Sequence, residues 1–410
     1  MSTTIESGNW DRKSLSQRAA SRSAIKSLLP LNLIIFLGFM TIGMSLPVLP
    51  IFVHAAMTAS PLIAGTVVGL QSITTVLTRR YAGAVADLKG PKTATVRGLV
   101  ICTSVGFIYI FTAAIPASWI MRLAVLLTGR IVLGLGESLI LTGAITWGIG
   151  SVGEVNAGQV MSWNGVAMYG AYAIGAPVGL VIYGLSSSPY FGFLALGAAA
   201  ALLPLIALGI ATFIPGVGVT PGRHLSVRLV LGYIWPFGAT LTLQMVGFGT
   251  IASFLSLTYG SLGWRGAGLG FTGFGIAVIV IRLLCGSLPD RLGGIRVETA
   301  SLFAECVGQS LIWIAHTPGA AAAGAIITGI GVALAFPALG IEAMKRVPPA
   351  NKGLVVALFS AFQDVAFGIT GPVTGLVATA FGYQSVFAVG AISAVAALLL
   401  LIMTGKENGV

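Results

Sequence analysis

The chain reads Arg79-Arg-Tyr-Ala-Gly83-Ala-Val-Ala-Asp87-Leu-Lys-Gly90-Pro-Lys92 and then, 203 residues on, Arg282-Leu-Leu-Cys-Gly286-Ser-Leu-Pro-Asp290-Arg-Leu-Gly293-Gly-Ile-Arg296. Both stretches share the frame Arg-x3-Gly-x3-Asp-x2-Gly, and the offset is close to half of the 410 residues. Four matched positions at one spacing mark an internal duplication. Glycine lets a helix end turn sharply and lie close to a neighbour. An aspartate at such a junction can meet an arginine or the positive N-terminal end of another helix. A joint of this kind can form in one conformation and break in another. A weaker echo links Gly175-Ala-Pro177-Val-Gly179 to Gly371-Pro372-Val-Thr-Gly375, and both runs read as helix kinks.

Working outward, each copy lies between two long apolar runs. The chain is 56% hydrophobic and 8% charged, whereas soluble domains carry roughly 25% charged residues. A soluble fold could not hide so much apolar surface, and a lipid bilayer removes the problem. Continuous runs are predicted near 28–52, 62–85, 94–116, 120–144, 157–185, 190–214, 227–257, 267–288, 297–316, 318–343, 353–380 and 384–404. Each can supply the ~20 residues that cross the hydrocarbon core as a helix. The runs do not alternate with period two, which excludes a transmembrane β-barrel. The expected organisation is therefore a tail (1–27), six spans (28–214), a central loop (215–226), six more spans (227–404) and a short tail (405–410). With the N-terminus inside, the inner loops and tails hold 18 Lys and Arg and the outer loops two. That bias predicts both termini in the cytoplasm. The net charge of +11 is thus a topology signal rather than a sign of nucleic-acid binding.

On these residues the chain resembles the major facilitator superfamily over about 28–404. Gly83 to Lys92 is similar to the family's motif A, and Gly286 to Arg296 to its second-half copy. Arg130-Ile-Val-Leu-Gly134-Leu-Gly136 resembles motif B. Gly170 to Gly179 resembles motif C of the antiporters, although one residue alone separates Gly175 from Pro177. Within the family, Trp163-Asn-Gly-Val-Ala-Met-Tyr-Gly170 and Gly134-Leu-Gly-Glu137-Ser138 look like the bacterial arabinose-efflux-type (YhhS-like) branch. The resemblance implies an all-α membrane protein of twelve transmembrane helices in two six-helix bundles related by pseudo-two-fold symmetry. It also implies a monomer in the bacterial inner membrane that exports a small molecule, such as a sugar, drug or metabolite, in exchange for protons. Motif A would be the gate, with Arg79, Gly83, Asp87, Gly90 and Lys92 in one half and Arg282, Gly286, Asp290, Gly293 and Arg296 in the other.

Charges inside a bilayer are expensive, so each is a functional candidate. Arg130 falls in the fourth run and matches the motif B arginine, which the family ties to proton coupling. Glu137 lies two turns further on, about 10 Å along the axis. That is too far for an ion pair with Arg130 but fits one polar stripe along a cavity. Glu137 is the leading proton carrier, and Asp364 is a second coupling candidate at similar depth in the other half. Glu305, with Gln309 one turn on, reads as structural. Gln71, Trp163, Asn164, Tyr169, Tyr172, Gln244 and Gln363 are candidate cavity residues. Arg130 reads as the sole basic residue deep in the bundle, which favours a neutral, amphipathic or cationic solute.

Other function classes lack their chemistry. Cys102, Cys285 and Cys306 form no CxxC or Cys/His cluster, so no metal site is expected. His54, His224 and His316 fall near run ends. No nucleophile–base constellation marks an enzyme, no long domain marks a sensor, and no phosphate-binding loop marks an ATP-driven pump. No cofactor is expected. Import, coupled or passive, is the alternative to export.

Overall fold

The computed structural model describes residues 4–153, 156–218, 226–347 and 352–406. Among them every regular element is helical: α1 (Thr4–Met57), α2 (Pro61–Lys89), α3 (Pro91–Ala114), α4 (Trp119–Val152), α5 (Ala157–Gly184), α6 (Pro189–Phe213), α7 (Val227–Ser261), α8 (Ala267–Cys285), the short α9 (Leu288–Leu292), α10 (Gly294–Trp313), α11 (Pro318–Val332), α12 (Ala335–Met344), α13 (Lys352–Phe381) and α14 (Val386–Lys406), with a 3-10 turn at Tyr383–Ser385. Local chemistry sets the ends. Ser60, Ser118, Ser226 and Thr317 each accept a hydrogen bond from a first-turn N–H, which satisfies donors that have no intrahelical partner. Gly90 and Gly293, the last glycines of the duplicated frame, take φ 90 and φ 88. A side-chain-bearing residue would be strained there, so the duplicated glycine makes the same turn twice.

Eleven helices among the described residues are long and apolar enough to cross a membrane. The helix that falls short is α10, whose apolar run is broken by Glu298 and Glu305, both fully buried. It packs between α11 and α14 and touches α7, so it completes a set of twelve. The tenth predicted run is one span in two pieces, α11 and α12, broken at 333–334.

Two boundaries differ from the sequence expectation. No break separates a 1–27 tail from the first span, because α1 runs unbroken from Thr4 and its apolar part begins at Leu28. The stretch is rich in Ala, Ser, Arg and Lys, with no proline before Pro30 to stop a helix. At the other end α14 continues to Lys406, and 407–410 lie outside the described residues. Most of the central loop, 219–225 with Arg223 and His224, is also outside them.

The first six helices pack mainly on one another: α3 on α4 and α6, α1 on α5 and α6, α2 on α4. The later helices do the same, with α10 on α11 and α14, α11 on α8, and α7 on α13 and α14. The two sets meet along α2–α13, α5–α8 and α1–α7. The contact is backbone-close at the end away from the duplicated loops. There Gly65 faces Gly371, Gly69 faces Gly368, and Gly375 faces Leu62. On the other seam Gly275 faces Ala173 and Gly268 faces Pro177. At the same tip the rings of His54 and Tyr383 stand edge to face at 6.5 Å. Small residues permit such approach between helices in lipid. The kink residues Gly175 and Gly179 also press on Gly43 and Met44 of α1, so the Gly/Pro runs of α5 and α13 act as close-packing surfaces. Towards the end that carries the duplicated loops, here termed the basic end, a cavity of about 330 Å³ opens between α5, α8, α12 and α13.

Candidate functional site

A central cavity of about 80 Å³ lies between the two sets of helices. Its polar lining comes from Arg79 of α2, Glu137 of α4, Asn164 and Tyr169 of α5, Arg282 of α8, and Gln363 and Asp364 of α13. Glu137 also lines a smaller void of about 30 Å³ with Gln71, Arg130 and Tyr172. It therefore stands in the wall between the two spaces.

Each charge has a distinct environment. Glu137 Oε2 accepts from Gln71 Nε2 at 2.7 Å and from Thr75 Oγ1 at 3.0 Å. Gln71 and Thr75 are four apart on α2 and so share a helix face, a signal that sequence reading could have used for Thr75. Seven residues back, Arg130 donates to the Val67 and Val68 carbonyls at 2.8 and 3.0 Å and to the Tyr109 hydroxyl at 3.3 Å. Among the described residues no carboxylate pairs with it, in keeping with the expected separation from Glu137. Asp364 forms an ion pair with Arg79 across the two halves, Nε to Oδ2 at 2.9 Å, with a second contact from Nη2. The two side chains are 16% and 11% exposed.

Arg282 reaches the other way. Its Nε donates to the Ala333 carbonyl at 2.9 Å, and its guanidinium lies 4.7 Å from the Tyr169 ring centroid. Gly165 makes room for it, since a Cβ there would collide with Nη1. Arg79 and Arg282 both line the cavity, so Arg130 is not the sole deep base, and the expected preference for neutral or cationic solutes loses its ground. Sequence reading counted Arg79 with the loop bases and set Arg282 near the end of the eighth run; their long stems carry the charge inward.

Three expected cavity residues lie outside the main cavity. Trp163 is one position from Asn164, about 100° around the helix, and is absent from the cavity lining. Gln244 is fully buried, donating to the Gly331 carbonyl at 3.3 Å. Gln71 lines the smaller void rather than the main cavity. Sequence reading named Tyr172 but missed its aromatic neighbours: Phe248, which lines the smaller void, stacks on Tyr172 and Phe274 at centroid distances of 5.7 and 5.0 Å and meets Phe367 edge-on.

The duplicated loops are open in this conformation. Asp87, Asp290 and Arg296 are exposed, and the ion pairs among the described residues are Arg79–Asp364 and Lys345–Glu342. Lys92 donates to the Ile214 carbonyl at 2.6 Å, at the C-terminal end of α6, and lies 5.8 Å from the Trp147 ring, a favourable place for a cation. Gly83 has open space around it, whereas a Cβ at Gly286 would meet the Arg282 carbonyl. No group of three or more His, Cys, Asp and Glu capable of holding a metal occurs among the described residues.

The chain is similar to known proteins in sequence and in fold. The sequence model of the Major Facilitator Superfamily matches residues 235–408. An uncharacterized MFS-type transporter of Salmonella typhimurium is 42% identical over 365 residues, covering 89% of this chain and 93% of its own. A Burkholderia mallei protein of the same description is 42% identical over 367 residues, covering 89% and 88%. Among solved structures, a D-xylose-proton symporter superposes with a TM-score of 0.75 at 15% identity, covering 92% of this chain and 96% of its own. The nucleoside transporter NupG superposes at 0.68 and 16% identity, covering 94% and 99%.

Proposed function

The chain belongs to the major facilitator superfamily, and we propose that within it the protein exports a small molecule in exchange for protons. It is a transporter rather than an enzyme. One observation carries the finer reading: a cavity buried between the two halves holds an unpaired carboxylate, Glu137, beside a cross-half ion pair, Arg79–Asp364. An exchanger needs a group that proton and substrate both address, at the seam where the halves move.

In this scheme the bodies 28–214 and 227–404 rock about the cavity. The backbone-close seams shut one end, and the basic end is the accessible one. The Lys and Arg distribution favours that end, and both termini, on the cytoplasmic side of a bacterial inner membrane. Substrate enters from there and draws the proton from Glu137. The halves then part at the opposite end, and Asp87 and Asp290 engage partners as the basic end closes. Asp364 couples the halves through Arg79, and Arg130 holds α4 to α2 so that Glu137 keeps its place. The protein works as a monomer, since each half supplies part of one cavity.

Proteoliposomes with an imposed pH gradient test this reading against a panel of sugars, lipophilic cations and organic acids. Solute and proton moving in opposite directions is the expected result. Movement in the same direction would replace export with coupled import.

A further inference from the structure

The duplication supplies its own control for the arginines. Arg79 and Arg282 hold the same place in the repeated frame, and each crosses to the opposite half. Their targets are matched too: Asp364 and Tyr169 each stand eight residues before the proline of their helix, Pro372 and Pro177. Arg79 finds a carboxylate at that position, and Arg282 finds a neutral ring. Among the described residues Arg282 makes one hydrogen bond, from Nε to a carbonyl, and no ion pair. Its two Nη groups, on the edge of the guanidinium that suits a carboxylate, have no acceptor. Asn164, next to the Gly165 over which Nη1 lies, is 5% exposed. Its Nδ2 is buried without an acceptor, and it lines the same cavity as Arg282. Buried donors are normally satisfied, which singles out the Asn164 amide, while the Arg282 guanidinium stands beside it on the wall of the cavity with its charge unmatched.

We propose that Arg282 and Asn164 form an oxyanion subsite, and that the transported molecule is amphipathic and carries a carboxylate or similar oxyanion that supplies the acid missing opposite Arg282. The proposal rests on reading the central cavity as the substrate site. Its apolar part would lie against Met161 and Phe336, which line both the central cavity and the larger one towards the basic end. Tyr169 then holds the guanidinium from behind by a cation–π contact, a weaker hold than an ion pair and one that leaves the Nη edge free. Exchange asks the same molecule for a donor or ammonium group that competes with the proton on Glu137.

Met161→Cys, in a chain with C102S, C285S and C306S, reports on the site through its rate of labelling by methyl methanethiosulfonate, a neutral reagent. Hydrocinnamate and its neutral amide are the matched probes. Charge-assisted hydrogen bonds predict that hydrocinnamate protects the thiol at concentrations roughly 10- to 100-fold below the amide. Arg282→Gln and Asn164→Ala should each abolish that preference, and Arg282→Lys should keep part of it, which separates lost charge from lost fold. Equal protection by acid and amide, or none by the acid, overturns the subsite while leaving the cavity reading intact. A thiol that no reagent reaches in the folded protein overturns the cavity reading and the subsite with it.

Discussion

Adding one carbon at Gly65 should drive the two halves apart at the end away from the duplicated loops. A Cβ at Gly65 would overlap the backbone carbonyl of Gly371, and a Cβ at Gly371 would overlap that of Gly65. Both obstacles are backbone, so no side chain can swing away; α2 and α13 must separate. Overpacking of this kind costs about 1–3 kcal/mol, and the cost falls on the state with this seam closed. The equilibrium between closed and open seam then shifts by roughly 5- to 150-fold. Spin labels at A55C and F381C, exposed near the tips of α1 and α13, report that seam by pulsed dipolar spectroscopy in nanodiscs, in the chain with its native cysteines replaced by serine. Gly65→Ala should raise the long-distance population, and Gly65→Val should raise it further. Unchanged distance distributions in both folded variants would refute the idea that this glycine contact is what opens.

The Arg79–Asp364 pair gives a double-mutant cycle. Arg79→Gln and Asp364→Asn each leave a charge without its partner, whereas the double variant leaves none, so the pair should show a coupling of about 1–3 kcal/mol in thermal stability or transport rate; strict additivity would mean the two charges act independently. Asp87→Asn should slow transport severalfold without lowering the melting temperature, because Asp87 is exposed and unpaired in this conformation and in the proposed scheme engages a partner when the basic end closes. A normal rate would reduce the first duplicated loop to a turn.

Most of the architecture was readable from hydropathy and from the duplicated frame, because a lipid environment demands long apolar helices and a repeated turn needs the same glycine. The α10 span was readable only as one apolar run among twelve, since buried Glu298 and Glu305 depress its hydropathy. What escaped reading was cross-half contact. Arg79 and Asp364 stand 285 residues apart, and nothing local in either helix marks the other as its partner. Arg282 fell inside the eighth predicted run but near its basic end, so its depth was not read, while its guanidinium sits over Tyr169. Trp163 and Gln244 show the converse: polar or aromatic character in a span nominates a residue, but helix rotation decides whether it faces the cavity. Glu342, whose Oε1 accepts from the N-terminal N–H of α10 at 2.9 Å, was likewise invisible, since its role depends on α12 lying against the start of that helix.

Glu137 is where the account is most exposed. In proteoliposomes, Glu137→Gln should keep solute counterflow, which moves no net proton, and lose uphill solute movement driven by a pH gradient. A Glu137→Gln protein that retains full gradient-driven transport would contradict the account and move the coupling group away from this carboxylate.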